Sequence, residues 1–282
     1  MYNKHSKNIF LMTAIFLFVV AANAIAQPKR IVSLGGAISE TVNALGLGKH
    51  IVAVDVTSVY PELINQLPKV SRNRALSAES ILSFHPDLIL VPEGDLLKAH
   101  LSQFKSMGIR VVQVRQEYSV SGALKFIRQI AAAVSMPEQG EIMARNTELQ
   151  IKKAQSELKK GPQLQKVLFI YARGVGTMNV AGKGSSIDAI IQLAGGKNAI
   201  QEFNEFKPYT TEALIKSNPD AILMFNFGVS SLGGKEAILK MPGVKYTNAG
   251  KNKKIIEMDG SLLINFSTRL ADAIRALNAR IY

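Results

Sequence analysis

Histidine, cysteine and clustered carboxylates are the side chains best suited to ligate metals or move protons. Cysteine is absent, so there is no disulfide framework, thiolate metal site or cysteine nucleophile. The histidines are His5, His50, His85 and His100, with no His-Glu-x-x-His spacing, so a zinc enzyme has little support. His85 sits at a Pro-Asp turn, and His50 and His100 read as surface residues. Gly174-Val175-Gly176 continues into an extended run and reads as a turn. Gly182-Lys183-Gly184-Ser185 lacks the spacing of a phosphate loop, and no Gly-x-Ser-x-Gly elbow occurs. An enzyme acting on an acidic substrate would need an acid–base or nucleophile pair, and none is found.

What does recur is a carboxylate in a repeated setting. Ser77-Ala78-Glu79-Ser80-Ile81-Leu82, followed by His85-Pro86-Asp87-Leu88-Ile89-Leu90, matches Thr210-Thr211-Glu212-Ala213-Leu214-Ile215, followed by Asn218-Pro219-Asp220-Ala221-Ile222-Leu223, at a constant offset of 133 residues. Each copy predicts a capped short helix, a Pro-Asp turn and a buried strand. Gap-free agreement of this length predicts two related lobes. At Glu79 and Glu212, a charge complementing the helix dipole is one explanation.

The elements that must position these residues alternate. Strands are predicted at 31–34, 51–56, 88–91, 111–114, 167–171, 221–225 and 255–258. Helices are predicted at 39–45, 77–84, 96–107, 120–134, 186–194, 211–217 and 270–281. This βαβ alternation implies an α/β fold with mostly parallel sheets. Pro137 to Lys160 differs: it is polar, with apolar positions at Ile142, Met143, Leu149, Ile151, Ala154 and Leu158, and Gly161-Pro162 ends it. It predicts a long helix bridging two lobes. The expected boundaries are 27–136 for the N-terminal lobe, 137–161 for the helix and 162–282 for the C-terminal lobe.

Residues 1–26 read as a secretory signal peptide. Lys4 and Lys7 precede an apolar run from Ile9 to Ala22, and Ala24-Ile25-Ala26 forms a small-x-small cleavage pattern. The run is shorter than the roughly 20 residues of a spanning helix. Lys+Arg 34 against Asp+Glu 21 gives +13 over 282 residues, and removing the two leader lysines leaves +11. A basic exported protein points to an anionic ligand and away from nucleic acid. An exported chain without cysteine fits a periplasm, where an unpaired thiol would risk oxidation.

Several motifs then carry a resemblance. Arg30-Ile31-Val32-Ser33-Leu34-Gly35-Gly36 with Glu40 and Leu45-Gly46 forms an opening strand and helix. The helix, Pro-Asp, strand units span Ser80 to Leu90 and Leu214 to Leu223. Together they resemble the periplasmic binding proteins with a rigid interlobe helix that serve ABC importers of haem, cobalamin and iron-siderophores. Asp55-Val56-Thr57-Ser58-Val59-Tyr60-Pro61, Leu67-Pro68-Lys69-Val70 and Arg74-Ala75-Leu76-Ser77-Ala78-Glu79 are similar to the haem-binding branch. In the second half, Tyr171-Ala172-Arg173-Gly174, Val180-Ala181-Gly182 and Leu193-Ala194-Gly195-Gly196 are similar to it as well.

The resemblance implies two Rossmann-like lobes joined by a helix, and haem transport as a monomer with no catalytic residues. Ferric haem b would be the carried ligand, delivered to an inner-membrane permease dimer with its ATPase. Cobalamin or a ferric siderophore is the alternative. It makes Tyr60 the axial iron ligand, a hard phenolate oxygen for a hard cation. From the residue alone, Tyr60 packing at a strand-to-loop junction is equally open. Arg74 and Arg173 lie inside matched motifs and, with Arg72, suit the haem propionates. Tyr209, Phe227 and Met178 are expected at the porphyrin face. Glu79 and Glu212 would meet basic residues of the two permease subunits, a pairing natural for a pseudo-twofold protein on a twofold transporter. One departure stands out: Phe227 occupies a place where family members carry an Arg. A stacking aromatic then replaces a guanidinium, leaving five-coordinate iron on Tyr60. One haem or two stacked haems are both compatible.

Overall fold

The computed structural model describes residues 27–71, 75–174 and 178–282. The expected signal peptide, Arg72 and Arg74 lie outside the described residues. The first sheet contains β1 (Ile31–Ser33), β2 (Ile51–Val54), β3 (Leu88–Pro92) and β4 (Arg110–Val114), all parallel in the order β2-β1-β3-β4. It is covered by α1 (Gly36–Val42), α2 (Glu62–Asn65), α3 (Ala78–Leu82), α4 (Lys98–Ser106) and α5 (Val120–Ala133). Strand β3 shows why these runs are continuously apolar. Leu88 and Leu90 pack into one core with Val54 and Phe126, while Ile89 and Val91 pack into the other with Ile81 and Phe104.

After α6 (Pro137–Ser156) the second sheet follows, with β5 (Lys166–Ala172), β6 (Met178–Ala181), α7 (Ser186–Leu193), β7 (Lys197–Asn198), β8 (Phe206–Pro208), α8 (Thr211–Ser217) and β9 (Ala221–Phe225). The chain closes with α9 (Asn226–Ser231), α10 (Lys235–Leu239), α11 (Asn248–Lys251), β10 (Ile255–Met258), α12 (Gly260–Ile264) and α13 (Leu270–Ile281). The sheet order is β10-β9-β5-β6-β8, with β7 also on β5. The pairings among β10, β9, β5 and β7 are parallel, whereas β5-β6 and β6-β8 are antiparallel. The sequence pattern predicted β5, β9 and β10 but not the two-residue β7. The hairpin-like β6 and β8 were not expected as sheet partners, because β8 is three exposed residues without an apolar run.

The repeated units have matching geometry. Ser77 and Thr210 cap α3 and α8, accepting from the N–H groups of Ser80 and Ala213 at 3.1 Å in both cases. His85 and Asn218 both take left-handed backbone, with φ of 48° and 39°. Asp87 accepts from the N–H of Lys29 at 2.8 Å, and Asp220 from that of Lys166 at 2.8 Å. Each aspartate thereby ties the turn to the start of the neighbouring strand. Of the other histidines, His50 and His100 are half-buried, not surface residues. His50 Nδ1 lies 3.1 Å from the Pro28 carbonyl, and His100 packs against Phe104.

Helix α6 packs against both α5 and α13. Its buried positions are Gly140, Ala144, Thr147, Ile151 and Ala154, a stripe of alternating four- and three-residue steps. This corrects the expected apolar face: Ile142 and Leu149 are 61% and 64% exposed. Small residues win the seam because the helices approach closely; a Cβ on Gly140 would lie 2.2 Å from the Ala131 Cβ. The helix also ends earlier than Lys160. Asn278 bonds both the N–H and the carbonyl of Lys159, at 2.9 and 3.0 Å, drawing the chain off the helix axis.

Candidate ligand-binding site

Ligands of open α/β sheets bind in the crevice beyond the carboxyl ends of the parallel strands. Tyr60 follows β2, and its loop is pinned from both sides. Asp55 accepts from the Gly35 N–H at 2.9 Å, the Ser58 hydroxyl at 2.6 Å and the Thr57 N–H at 3.1 Å. Lys69 donates to the Ser58 carbonyl at 2.8 Å, and burial lowers the Lys69 pKa against the opposing pull of Asp55. A Cβ on Gly36 would meet the Thr57 carbonyl at 2.8 Å, so only glycine admits this approach of α1 to the loop. Ser58 is fully buried and so is Ile64 in α2, while Val59 and Tyr60 between them emerge. Tyr60 is 45% exposed. A buried anchor on each side thus presents one phenol to solvent.

The guanidinium of Arg269, at the start of α13, lies over the Tyr60 ring, 3.6 Å from its centroid. Arg269 is held by Glu40 of α1 through its Nε at 2.9 Å and through Nη2, and Nη2 also donates to Ser261 at 3.1 Å. Glu40 is only 3% exposed and accepts a further bond from Asn265 Nδ2 at 2.6 Å. Burial raises the Glu40 pKa, and Arg269 and Asn265 act against that rise. Thr41 and Ser267 share a hydrogen bond of 2.6 Å, and Gln116 donates to the Asn265 carbonyl at 2.6 Å. Residues 259–270 therefore dock the second half of the chain onto α1, next to Tyr60.

Arg173 and Phe227 follow β5 and β9, and the structure brings them together. The Arg173 guanidinium carbon lies 5.0 Å from the Phe227 ring centroid, and its Nε donates to the Tyr171 hydroxyl at 2.6 Å. Edge contacts run from Phe206 to Phe169, Phe225, Tyr171 and Phe227, with centroid separations of 4.8 to 6.3 Å. Only the ends of this chain emerge strongly: Phe206 is 44% and Phe227 42% exposed. Met178 and Tyr209 lie on the other face of the same sheet. Met178 pairs with Ala172, which shares the core of Leu168 and Ile170, whereas Tyr171 and Phe169 share the opposite core. Tyr209 also spends its hydroxyl on the Pro242 carbonyl at 3.3 Å, and burial raises its pKa. Glu79 and Glu212 are exposed, each the second residue of its helix.

Arg269 was not anticipated as a site residue, and neither was its partner Glu40. The second half supplies a guanidinium to the Tyr60 ring face through Arg269 and not from the Asn226–Gly228 segment, where Phe227 stands. A signal was present. A cation at a helix N-terminus opposes the dipole and calls for a carboxylate partner. Glu40 is the lone charge between Ala37 and Leu45.

The chain belongs to the periplasmic binding protein family, whose model matches residues 31–262. It is a substrate-binding protein of the class serving ABC importers of haem, vitamin B12 and siderophores. It is similar to the periplasmic heme-binding protein RhuT from Roseiflexus sp. RS-1 in apo form, at 35% identity and a TM-score of 0.86, covering 90% of this chain and 98% of that one. It is similar also to the periplasmic heme-binding protein BhuT in complex with two hemes, at 33% identity and a TM-score of 0.85, covering 90% and 97%. The vitamin B12-binding protein of Vibrio vulnificus is 26% identical over 90% of this chain and 89% of its own length. Members of this class work with an ABC permease and its ATPase. Among the described residues, no helix is long and apolar enough to cross a membrane.

Proposed function

We propose that this protein captures ferric haem in the crevice between its two lobes, with Tyr60 as the axial iron ligand, and passes it to an ABC permease in the inner membrane. The two lobes are residues 27–136 and 162–282, bridged by α6, and the leader 1–26 directs export to the periplasm. The observation that carries haem over cobalamin is the exposed phenol of Tyr60, held by buried anchors and faced on one side by a guanidinium. A phenolate oxygen is a fitting donor for ferric iron, whereas cobalamin brings its own nitrogen ligands and needs no protein phenol. Arg173, against the exposed Phe227, suits a propionate beside an apolar porphyrin face. The similarity to haem-binding structures supports the same ligand.

Titration of purified protein with hemin and with cyanocobalamin tests this. The expected result is a high-spin, tyrosine-type ferric spectrum with hemin, lost in Tyr60→Ala, and no saturable binding of cyanocobalamin. Equal hemin binding by Tyr60→Ala, or cobalamin binding in its place, overturns it.

Glu79 and Glu212, on matching helix starts of the two lobes, are the proposed contacts to the two permease subunits. Replacing both by Ala should leave hemin affinity unchanged and lower uptake in a reconstituted transport assay. Unchanged uptake would remove them from the docking surface.

A further inference from the structure

We infer that Arg269 is a positioning residue for the Tyr60 phenol, held in place by Glu40 across the junction between the two halves of the chain. This rests on the assignment of Tyr60 as ligand above. Glu40 takes donors from the edge of the guanidinium, Nε at 2.9 Å and Nη2, and Ser261 takes another from Nη2 at 3.1 Å. A planar guanidinium bound along its edge leaves its face free. That face lies against the Tyr60 ring, 3.6 Å from the centroid.

Rotating Arg269 away would strand a carboxylate that is 3% exposed, with Asn265 as its remaining side-chain partner. The guanidinium is thus fixed, and the ring packed on it is fixed in turn. Because Glu40 offsets the charge of Arg269, the contribution to Tyr60 is one of orientation. The lysine ammonium has no planar face, so Arg269→Lys keeps the charge and loses the function. The two partners also come from different halves: Glu40 is in α1, whereas Arg269 and Asn265 lie beyond the second sheet. A displacement of one half against the other therefore moves the guanidinium relative to the phenol.

The absence of tryptophan and cysteine makes this measurable without ligand, since the near-ultraviolet circular dichroism arises from Tyr and Phe alone. The Tyr60 contribution is the difference between wild type and Tyr60→Phe. Arg269→Lys and Glu40→Gln should each abolish that contribution in the ligand-free protein. Each should also weaken hemin binding about 10- to 100-fold, as loss of an outer-shell partner does, with a shifted phenolate-to-iron band. Far-ultraviolet spectra and melting curves identify any variant that fails to fold. Glu40→Gln keeps the shape and the Asn265 bond, and carries the test if Arg269→Lys does not fold. Near-ultraviolet spectra identical to wild type in the folded variants, with hemin affinity within twofold, would overturn the inference. If wild type itself takes no hemin through Tyr60, the ligand assignment fails, and the ligand-free spectra still decide whether Arg269 orients the ring.

Discussion

The two clusters proposed to face the ligand are built by opposite means. On the first, one phenol is exposed, and polar groups hold it: Asp55 staples its loop, and the Arg269–Glu40 pair backs its ring. On the second, the exposed Phe227 stands at the end of a row of rings whose middle members Phe169 and Phe225 are buried in the core, with Arg173 beside it. Hydrogen bonds are directional, so the first cluster can aim a single oxygen at a metal. Packed rings are not directional in that way and offer area. Under the proposed function, the difference separates coordination from contact: one cluster would fix where the iron sits, and the other would cover the ring system around it.

The largest effect should follow from removing the aimed oxygen. Tyr60→Ala takes away the proposed metal bond, and the loss of hemin affinity should exceed the roughly 100-fold typical of an outer-shell change. Arg173 comes next. A hydrogen bond to a charged group contributes about 1.5–3 kcal/mol, and Arg173 is exposed, so the lower end applies. Arg173→Gln should weaken hemin binding about tenfold, and more at low salt than at high salt. The iron spectrum should stay tyrosine-type. A change of spectrum in Arg173→Gln would mean that the second cluster also touches the metal, and the separation of roles would break. A salt-independent loss would mean that Arg173 acts by packing.

Much of this fold is legible in the amino-acid sequence, and the boundary has physical causes. Strands such as Leu88–Pro92 and Ala221–Phe225 are buried on both faces, so they appear as unbroken apolar runs. The cap, Pro-Asp and strand units repeat because the same local geometry is built twice, down to the left-handed His85 and Asn218. The stretch from Asn226 to Ile264 is harder. Its helices have four to six residues, too few turns for a helical period to show. Among the candidate residues, Arg173 and Phe227 closely follow strands and Tyr60 lies in the loop after one, positions that single them out in the sequence. Arg269 could not be placed by spacing, because its contact with Tyr60 depends on how the two halves dock. Met178 and Tyr209 show the converse. They lie near Arg173 in the chain pairing, yet strand alternation turns them to the other face of the sheet.

The smallest effect should come from Phe227, and it tests the second cluster most directly. An aromatic pair contributes about 0.5–1.5 kcal/mol beyond the area it buries, and Phe227 already spends part of its face on Arg173. Phe227→Leu keeps most of the apolar area and loses the flat ring, so hemin affinity should fall only about two- to tenfold. The same substitution frees the Arg173 guanidinium from its stacking partner. If Phe227 acts only as surface, Arg173→Gln and Phe227→Leu will be additive in the double variant. If the ring instead holds Arg173 toward a propionate, the double variant will bind no worse than Arg173→Gln alone. Hemin titrations of the two single variants and the double variant decide between these outcomes. The second would mean that the aromatic cluster also aims a polar group, as the first cluster does.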